Sequence, residues 1–222
     1  MKEEPPQPNL ERVGLFPLPD ISLLPHQLLP LHVFEPRYQQ LVADAKAREG
    51  LIAIPRLKPG YELHYHGNPD LYDVCGLGRI VQLDPLSDGK SNILVRGLKR
   101  VRLVEELRGT PYRLARVEEL ADEEPSAPLA HPGLLASLQR LTEQLRPELS
   151  EAELTLLRAA ELAAQAQSAP LDYLNGALVL DPEIRQLQLE EIDPSQRLSR
   201  WVAALRERLG STSSAPGSSS WN

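Results

Sequence analysis

DVCGLGRIVQLDPLSDGKSNILVRGLKRVRLVEEL, residues 73–107, holds the strongest structural signal in the chain. DVCGLGRIVQLD (73–84), SNILVRG (91–97) and KRVRLVEEL (99–107) are short runs rich in Val, Ile and Leu, each bounded by turn residues, which is the pattern of β-strands. Asp88-Gly89, set between two apolar runs, is the strongest short-range hairpin signal available and joins the first two of them. YRLARVEEL (112–120) adds another run of the same kind. Residues 10–120 therefore read as an antiparallel, barrel-like sheet.

The same stretch excludes one chemistry. Residues 84–91, DPLSDGKS, end in Gly-Lys-Ser like a phosphate-binding loop, but Asp84 occupies the place of the first glycine. Beyond Ser91 the chain shows a strand pattern, whereas a phosphate loop must open a helix whose N-terminal dipole receives the phosphate. A hairpin turn accounts for the segment, and ATP hydrolysis by a P-loop is not expected.

Upstream, PLHVFEPRYQQLV (30–42) changes period midway. Leu31 and Val33 alternate with His32 as on a half-buried strand. Pro36 then suits a first helical position, and Tyr38, Leu41, Val42 and Ala45 follow at helical spacing, with Gly50 as a stop. The segment is a strand, a corner carrying Glu35 and Arg37, and a helix.

Downstream, ADEEPSAPLAHPG (121–133) carries three acids and three prolines, and beyond it the composition shifts to Leu, Ala, Glu and Arg. Ser150 with Glu153 forms a capping-box pattern, while Asp181-Pro182-Glu183 and Asp193-Pro194 each place an N-cap before a first-position proline. Leu134, Leu138 and Leu141 share one helical face, as do Leu198, Trp201, Val202 and Leu205, so both stripes read as the core of a helical bundle. The expected organisation is a disordered 1–9, a β-rich subdomain 10–120, a linker 121–132, a helical bundle 133–209 and a low-complexity, disordered tail 210–222.

At 222 residues and 41% hydrophobic content the chain can bury a real core. No apolar stretch approaches the roughly 20 residues that span a bilayer, so no membrane partner is expected. MKEEPPQPN lacks the basic and apolar regions of a secretory signal, which makes the cytoplasm the default location. The net charge of −7 is uneven: residues 1–119 hold 16 acidic and 16 basic side chains, residues 120–222 hold 15 and 8. Neither half has the basic balance of a phosphate-gripping domain, so nucleic acid is disfavoured as a partner.

Candidate chemistry is sparse. Cys75 is the only cysteine, which excludes an intramolecular disulfide, and its strand-like setting reads as a small buried side chain. No Gly-x-Ser-x-Gly elbow is present. His64 and His66 would share one side of a strand, but no Cys, Asp or Glu cluster nearby offers obvious further ligands and no metal is expected. Tyr61, Tyr65 and Tyr72 around them either form a contact surface or close one end of the barrel. Glu35 and Arg37 read as a local ion pair ahead of an acid or anion clamp. Arg96, Arg100 and Arg102 would share a strand face, a solvated one given Glu105 and Glu106 beyond.

LFPLPDISLLPHQLLPLHVFEPRYQQLV (15–42) closely resembles the start of the substrate-binding N-terminal domain of Lon proteases, where an FPLP segment leads to a PLHxFExRY motif. The glycines, the Asp-Gly turn and the Gly-x-x-Arg of residues 76–107 look like the hairpins of that family. LDYLNGALVLDPEIRQLQLEEIDPSQRLSRWVAAL (171–205) is similar to its closing helices. His26 departs from the pattern, standing where the family commonly has glycine, so a different backbone is expected in that turn.

The resemblance implies an α+β fold, a PUA-like antiparallel pseudo-barrel followed by a C-terminal helical bundle. It implies a role in recognising unfolded or partly folded proteins alongside a protease or ATPase partner. The phosphate loop and Ser-Lys pair of full Lon proteases are missing, so a stand-alone, non-catalytic domain is expected, with no cofactor. Substrate-binding candidates are Leu31, Phe34, Glu35, Arg37, Tyr38, Tyr61 and Tyr65, with Phe34 and Tyr38 anchoring the corner. The alternative is a PUA-like protein that binds nucleic acid or a small molecule.

Overall fold

The computed structural model describes residues 9–64, 68–86, 89–123 and 181–213, with scattered positions between 140 and 155. Two compact units emerge, one of residues 1–121 with 185–190, the other of 122–184 with 191–222.

The first unit is built from β1 (Val13–Leu15), β2 (Leu28–Val33), α1 (Pro36–Lys46), β3 (Leu51–Ile54), β4 (Val74–Pro85), β5 (Ser91–Leu107) and β6 (Leu114–Leu120). The strand order is β2-β5-β4-β3-β1-β6, and β6 pairs again with β5. β5, β4, β3, β1 and β6 thus close into a ring, and β2 lies outside it as an edge strand. Pro30 fits that place, since an edge strand tolerates a missing donor. All pairings are antiparallel except β1 with β3, which is parallel, so the wholly antiparallel sheet of the sequence reading is corrected there. The helix between β2 and β3 lets the chain re-enter the sheet on the far side, which a tight turn cannot do.

The two runs 91–97 and 99–107 are one 17-residue strand, β5, rather than two. Its register against β4 slips between Leu77 and Gly78, where Gly78 faces Gly97 while Leu77 faces Lys99. The extra residue, Leu98, keeps the strand continuous while reversing its parity. The bulge therefore sets Arg96 on the opposite face from Arg100 and Arg102, so the three arginines do not share a face; Arg100 is buried, while Arg96 and Arg102 are exposed. β4 and β5 do form a hairpin, closed by Leu86 N–H donating to Lys90 O at 2.8 Å. Asp88 lies outside the described residues.

Val13, Leu15, Leu57, Leu71, Cys75, Leu77 and Val101 form one cluster, and on the opposite face of the sheet, where Ile52 and Ile54 alternate with Leu51 and Ala53 along β3, Phe16, Leu23, Tyr38, Leu41, Ile52, Ile54, Ile80 and Val95 form another that takes in α1. Burial pushes the Cys75 thiol well above its ordinary value, leaving it an inert core side chain. The segment feeding β2 crosses the sheet in backbone contact: a Cβ at Gly76 would stand 2.0 Å from Leu23 O, and one at Gly97 would stand 2.1 Å from Leu24 O. Only glycine admits that approach. His26 N–H then donates to Gly97 O (2.9 Å) and Gly97 N–H to Gln27 O (2.8 Å), which aligns β2 on β5. His26 has φ +64°, a left-handed backbone that glycine adopts more readily than other residues.

α2 (Pro182–Glu190) begins under Asp181, whose carboxylate accepts from Glu183 N–H at 2.8 Å, and α3 (Pro194–Ser213) under Asp193, which accepts from Ser195 N–H at 2.8 Å. Both cap patterns act as the sequence predicts. Within the first unit, Gln186 donates to Val74 O (3.0 Å) and accepts from Ser22 Oγ (2.8 Å), seating residues 185–190 on the sheet. In the second unit, Leu198, Trp201, Val202 and Leu205 are buried on one face of α3. Arg197 makes a bidentate pair with Asp122 at 2.7 and 2.5 Å and donates to Glu191 O. Leu134, Leu138, Leu141, Ser150 and Glu153, and most of the linker, lie outside the described residues, as do the chain ends 1–8 and 214–222. Among the described residues no helix is long and apolar enough to cross a membrane.

Candidate functional site

The corner between β2 and α1 is assembled from the FEPRY motif. Val33 is buried at the end of β2, Glu35 stays extended at φ −74°, ψ 133°, and Pro36 opens the helix. Glu35 does not cap the helix through its side chain; instead its carboxylate accepts from Arg37 Nε and Nη2, each at 2.8 Å. The Arg37 guanidinium also lies 4.6 Å from the Tyr38 ring centroid. Tyr38 is buried and stacks on Phe16 with ring centroids 4.3 Å apart, so it anchors the corner. α1 stops short of Gly50, whose φ of +72° lets its N–H reach Ala45 O at 2.8 Å.

Phe34 is not an anchor. Its side chain is 57% exposed, lying alongside His32 at 6.0 Å between centroids. The physical reason is parity: Val33 turns inward at the strand end, so its successor in the extended chain turns out. Leu28, on the same edge strand, is 49% exposed, Pro30 is exposed and Leu31 is half-buried against the core. The corner thus presents an aromatic ring and an apolar strand edge beside an Arg-Glu pair.

Two cavities flank α1. One, of about 390 Å³, is polar and is lined by Arg37 and Tyr38 together with Asn68 and the β5–β6 turn from Arg108 to Arg113. The other, of about 310 Å³, lies at the C-terminal half of α1 between Arg12, Asp44, Arg48 and Tyr112 over an apolar floor. There Tyr112 Oη donates to Asp44 Oδ2 at 2.7 Å. Burial, and then this bond, push the Tyr112 phenol up to about 12, while the same bond holds Asp44 below the usual carboxylate range.

Leu31, Phe34, Glu35, Arg37 and Tyr38 come together at the corner, whereas Tyr61 packs against the other core cluster. Tyr61–His64 is a 3₁₀ turn, so the strand parity that would have paired His64 with His66 does not hold. Tyr65 and His66 lie outside the described residues. Sequence reasoning missed Leu28, Asn68 and Arg108. For Arg108 a signal existed: Arg-Gly-Thr-Pro between two strand patterns marks a tight turn that exposes its first residue.

Residues 12–207 match the family described as the ATP-dependent protease La (LON) substrate-binding domain. The chain belongs to the Lon substrate-binding domain family. Lon protease 2 of Herpetosiphon aurantiacus is 27% identical over 199 residues, covering 88% of this chain and 24% of that protein. Lon protease 2 of Myxococcus xanthus is 28% identical over 217 residues, covering 93% and 24%. The chain thus spans about a quarter of the length of these Lon relatives.

Among solved structures, the Lon N-terminal domain protein from Xanthomonas campestris superposes with a TM-score of 0.60 at 25% identity, over 86% of this chain and 97% of that one. The N-terminal domain of the Mycobacterium avium complex Lon protease superposes with a TM-score of 0.65 over 89% and 99%, and at 18% identity that likeness speaks to the fold alone. The sheet-rich architecture is that of Lon N-terminal domains.

Proposed function

We propose that the chain is a non-catalytic recognition module that captures exposed apolar segments of unfolded or partly folded proteins in the cytoplasm. It acts as an adaptor to a protease or ATPase partner. The observation that carries this reading is Phe34: the motif leaves a large aromatic side chain 57% exposed at the end of an edge strand that also exposes Leu28. An apolar ring left in water brings no stabilising return to the isolated fold, whereas apolar patches rimmed by polar groups are how binding surfaces look. The outer side of β2, unpaired among the described residues, offers backbone groups to an extended segment. A PUA-like pseudo-barrel describes the scaffold, supported by the closed ring of β5, β4, β3, β1 and β6.

The test is fluorescence anisotropy of a labelled protein held permanently unfolded, titrated with the full chain, with a folded protein and a single-stranded RNA as controls. Saturable binding to the unfolded protein alone is expected, weakened about tenfold by Phe34→Ser, while stability changes by less than about 0.5 kcal/mol because the ring is already hydrated. Equal binding to the folded control, preference for RNA, or an unaffected Phe34→Ser variant would overturn the reading.

A further inference from the structure

The polar cavity beside the corner concentrates cations in a chain whose net charge is −7. Arg37, Arg108 and Arg113 line it, with Glu106 as the one carboxylate in the lining. Two of the three guanidiniums are already engaged. Arg113 donates to Glu106 and, at 2.6 Å, to Pro69 O, which fixes its plane. Arg37 is held by Glu35 at 2.8 Å. Arg108 is exposed and has no ion-pair partner among the described residues. Gly109, at φ +111°, turns the chain immediately after it, a backbone that only glycine adopts readily.

Three guanidiniums against the carboxylates of Glu106 and Glu35 leave one positive charge in excess, that of Arg108. A walled, cationic recess draws an anion, and the planar fork of a guanidinium matches a carboxylate through two parallel hydrogen bonds. A single uncommitted charge suits a monoanion better than a phosphate dianion. Asn68 and Thr110 add polar groups to the wall, although the Thr110 hydroxyl proton is spent on Tyr112 O at 2.6 Å. Arg37 stands three residues after Phe34, so the recess and the exposed ring belong to one motif.

We infer that this cavity binds a carboxylate of a captured polypeptide on Arg108, whether an Asp or Glu side chain or a free C-terminus; the inference rests on the capture reading above. The test titrates the full chain and its Arg108→Gln variant against four labelled apolar peptides: one with a free C-terminal carboxylate, its C-terminal amide, and amidated versions with one internal Asp or Asn. Arg108 is an exposed turn residue, and circular dichroism checks that the variant folds. The wild type is expected to bind at least one carboxylate-bearing peptide about tenfold more tightly than its neutral counterpart. Arg108→Gln erases that preference and leaves the neutral peptides unchanged; which peptide is preferred names the source.

Equal binding of charged and neutral peptides overturns the carboxylate pocket while apolar capture stands. If no peptide binds, N-acetylglycine is titrated next. Shifts in the NMR spectrum that Arg108→Gln abolishes keep the pocket without capture, and their absence removes both. Inorganic phosphate binding more tightly than N-acetylglycine also overturns the assignment.

Discussion

Gly76→Ala isolates the backbone-on-backbone contact that sets β2 in place. The added Cβ would meet Leu23 O at 2.0 Å and Leu23 C and Cβ at 2.9 Å. Ordinary contact needs about 3.5 Å, so the Leu23–Leu24 segment must withdraw by roughly 1.5 Å. Neither wall can yield by a rotamer change, since the nearest atom is a carbonyl oxygen and Leu23 and Leu24 are both fully buried. Withdrawal also pulls at the two hydrogen bonds between Gly97 and the His26–Gln27 turn.

Overpacking of this kind costs about 1–3 kcal/mol and disturbed burial of Leu23 adds to it, while alanine recovers about 0.5–1 kcal/mol of backbone entropy. The expected net loss is about 3 kcal/mol, and Gly97→Ala, 2.1 Å from Leu24 O, should behave alike. Gly60→Ala is the control: nothing lies within 4 Å of its Cβ, so only its φ of +91° is penalised, by about 1 kcal/mol. Urea denaturation followed by far-ultraviolet circular dichroism gives the three values at constant slope. A Gly76→Ala protein within about 0.5 kcal/mol of the wild type would refute the close-approach argument.

Three further outcomes are expected. Tyr112 has its phenol raised to about 12 against an ordinary value of 10.0, so its contribution is fully present below about pH 10 and is lost as pH rises through 12. The unfolding free energy should fall over that window by about 1–2 kcal/mol more in the wild type than in Tyr112→Phe, a smaller figure than the full shift because Asp44 is partly hydrated. Arg197→Ala removes a side chain buried at 2% exposure from its Asp122 pair; since Asp122 is itself reached by water, the cost is about 2–3 kcal/mol in thermal unfolding rather than the larger value of a fully buried pair. His26→Gly relieves a left-handed backbone at φ +64° and should stabilise the protein by about 0.5 kcal/mol after the added chain entropy is subtracted, read from the same urea curves.

Legibility in the sequence followed the range of the interactions. Helix caps at Asp181 and Asp193, the Pro36 helix start, the Gly50 stop and the apolar stripe through Trp201 were readable because each is settled within a few residues. The family motif was readable for the same reason: PLHVFEPRY is contiguous. The strand runs were visible, yet the union of 91–97 with 99–107 was not, because a bulge at Leu98 is imposed by the partner strand β4 rather than by local composition. The same bulge put Arg96 and Arg100 on opposite faces of the strand, which period-two counting from Arg96 cannot anticipate.

The site divided along that line as well. Local chemistry established that Glu35 and Arg37 pair and that Tyr38 points into the core, since both follow from spacing along one corner. The exposure of Phe34 depends on which face of the edge strand β2 packs inward, while the carbonyl of Leu23 seated on Gly76 and the meeting of Arg37 with Arg108 across 71 positions of sequence depend on how the strands pair and close. Sequence patterns report which residues prefer water and which turn the chain; side-chain neighbours brought together by a parallel β1–β3 pairing and a returning β6 carry no local signature, because the energy that selects them is the packing of the whole barrel.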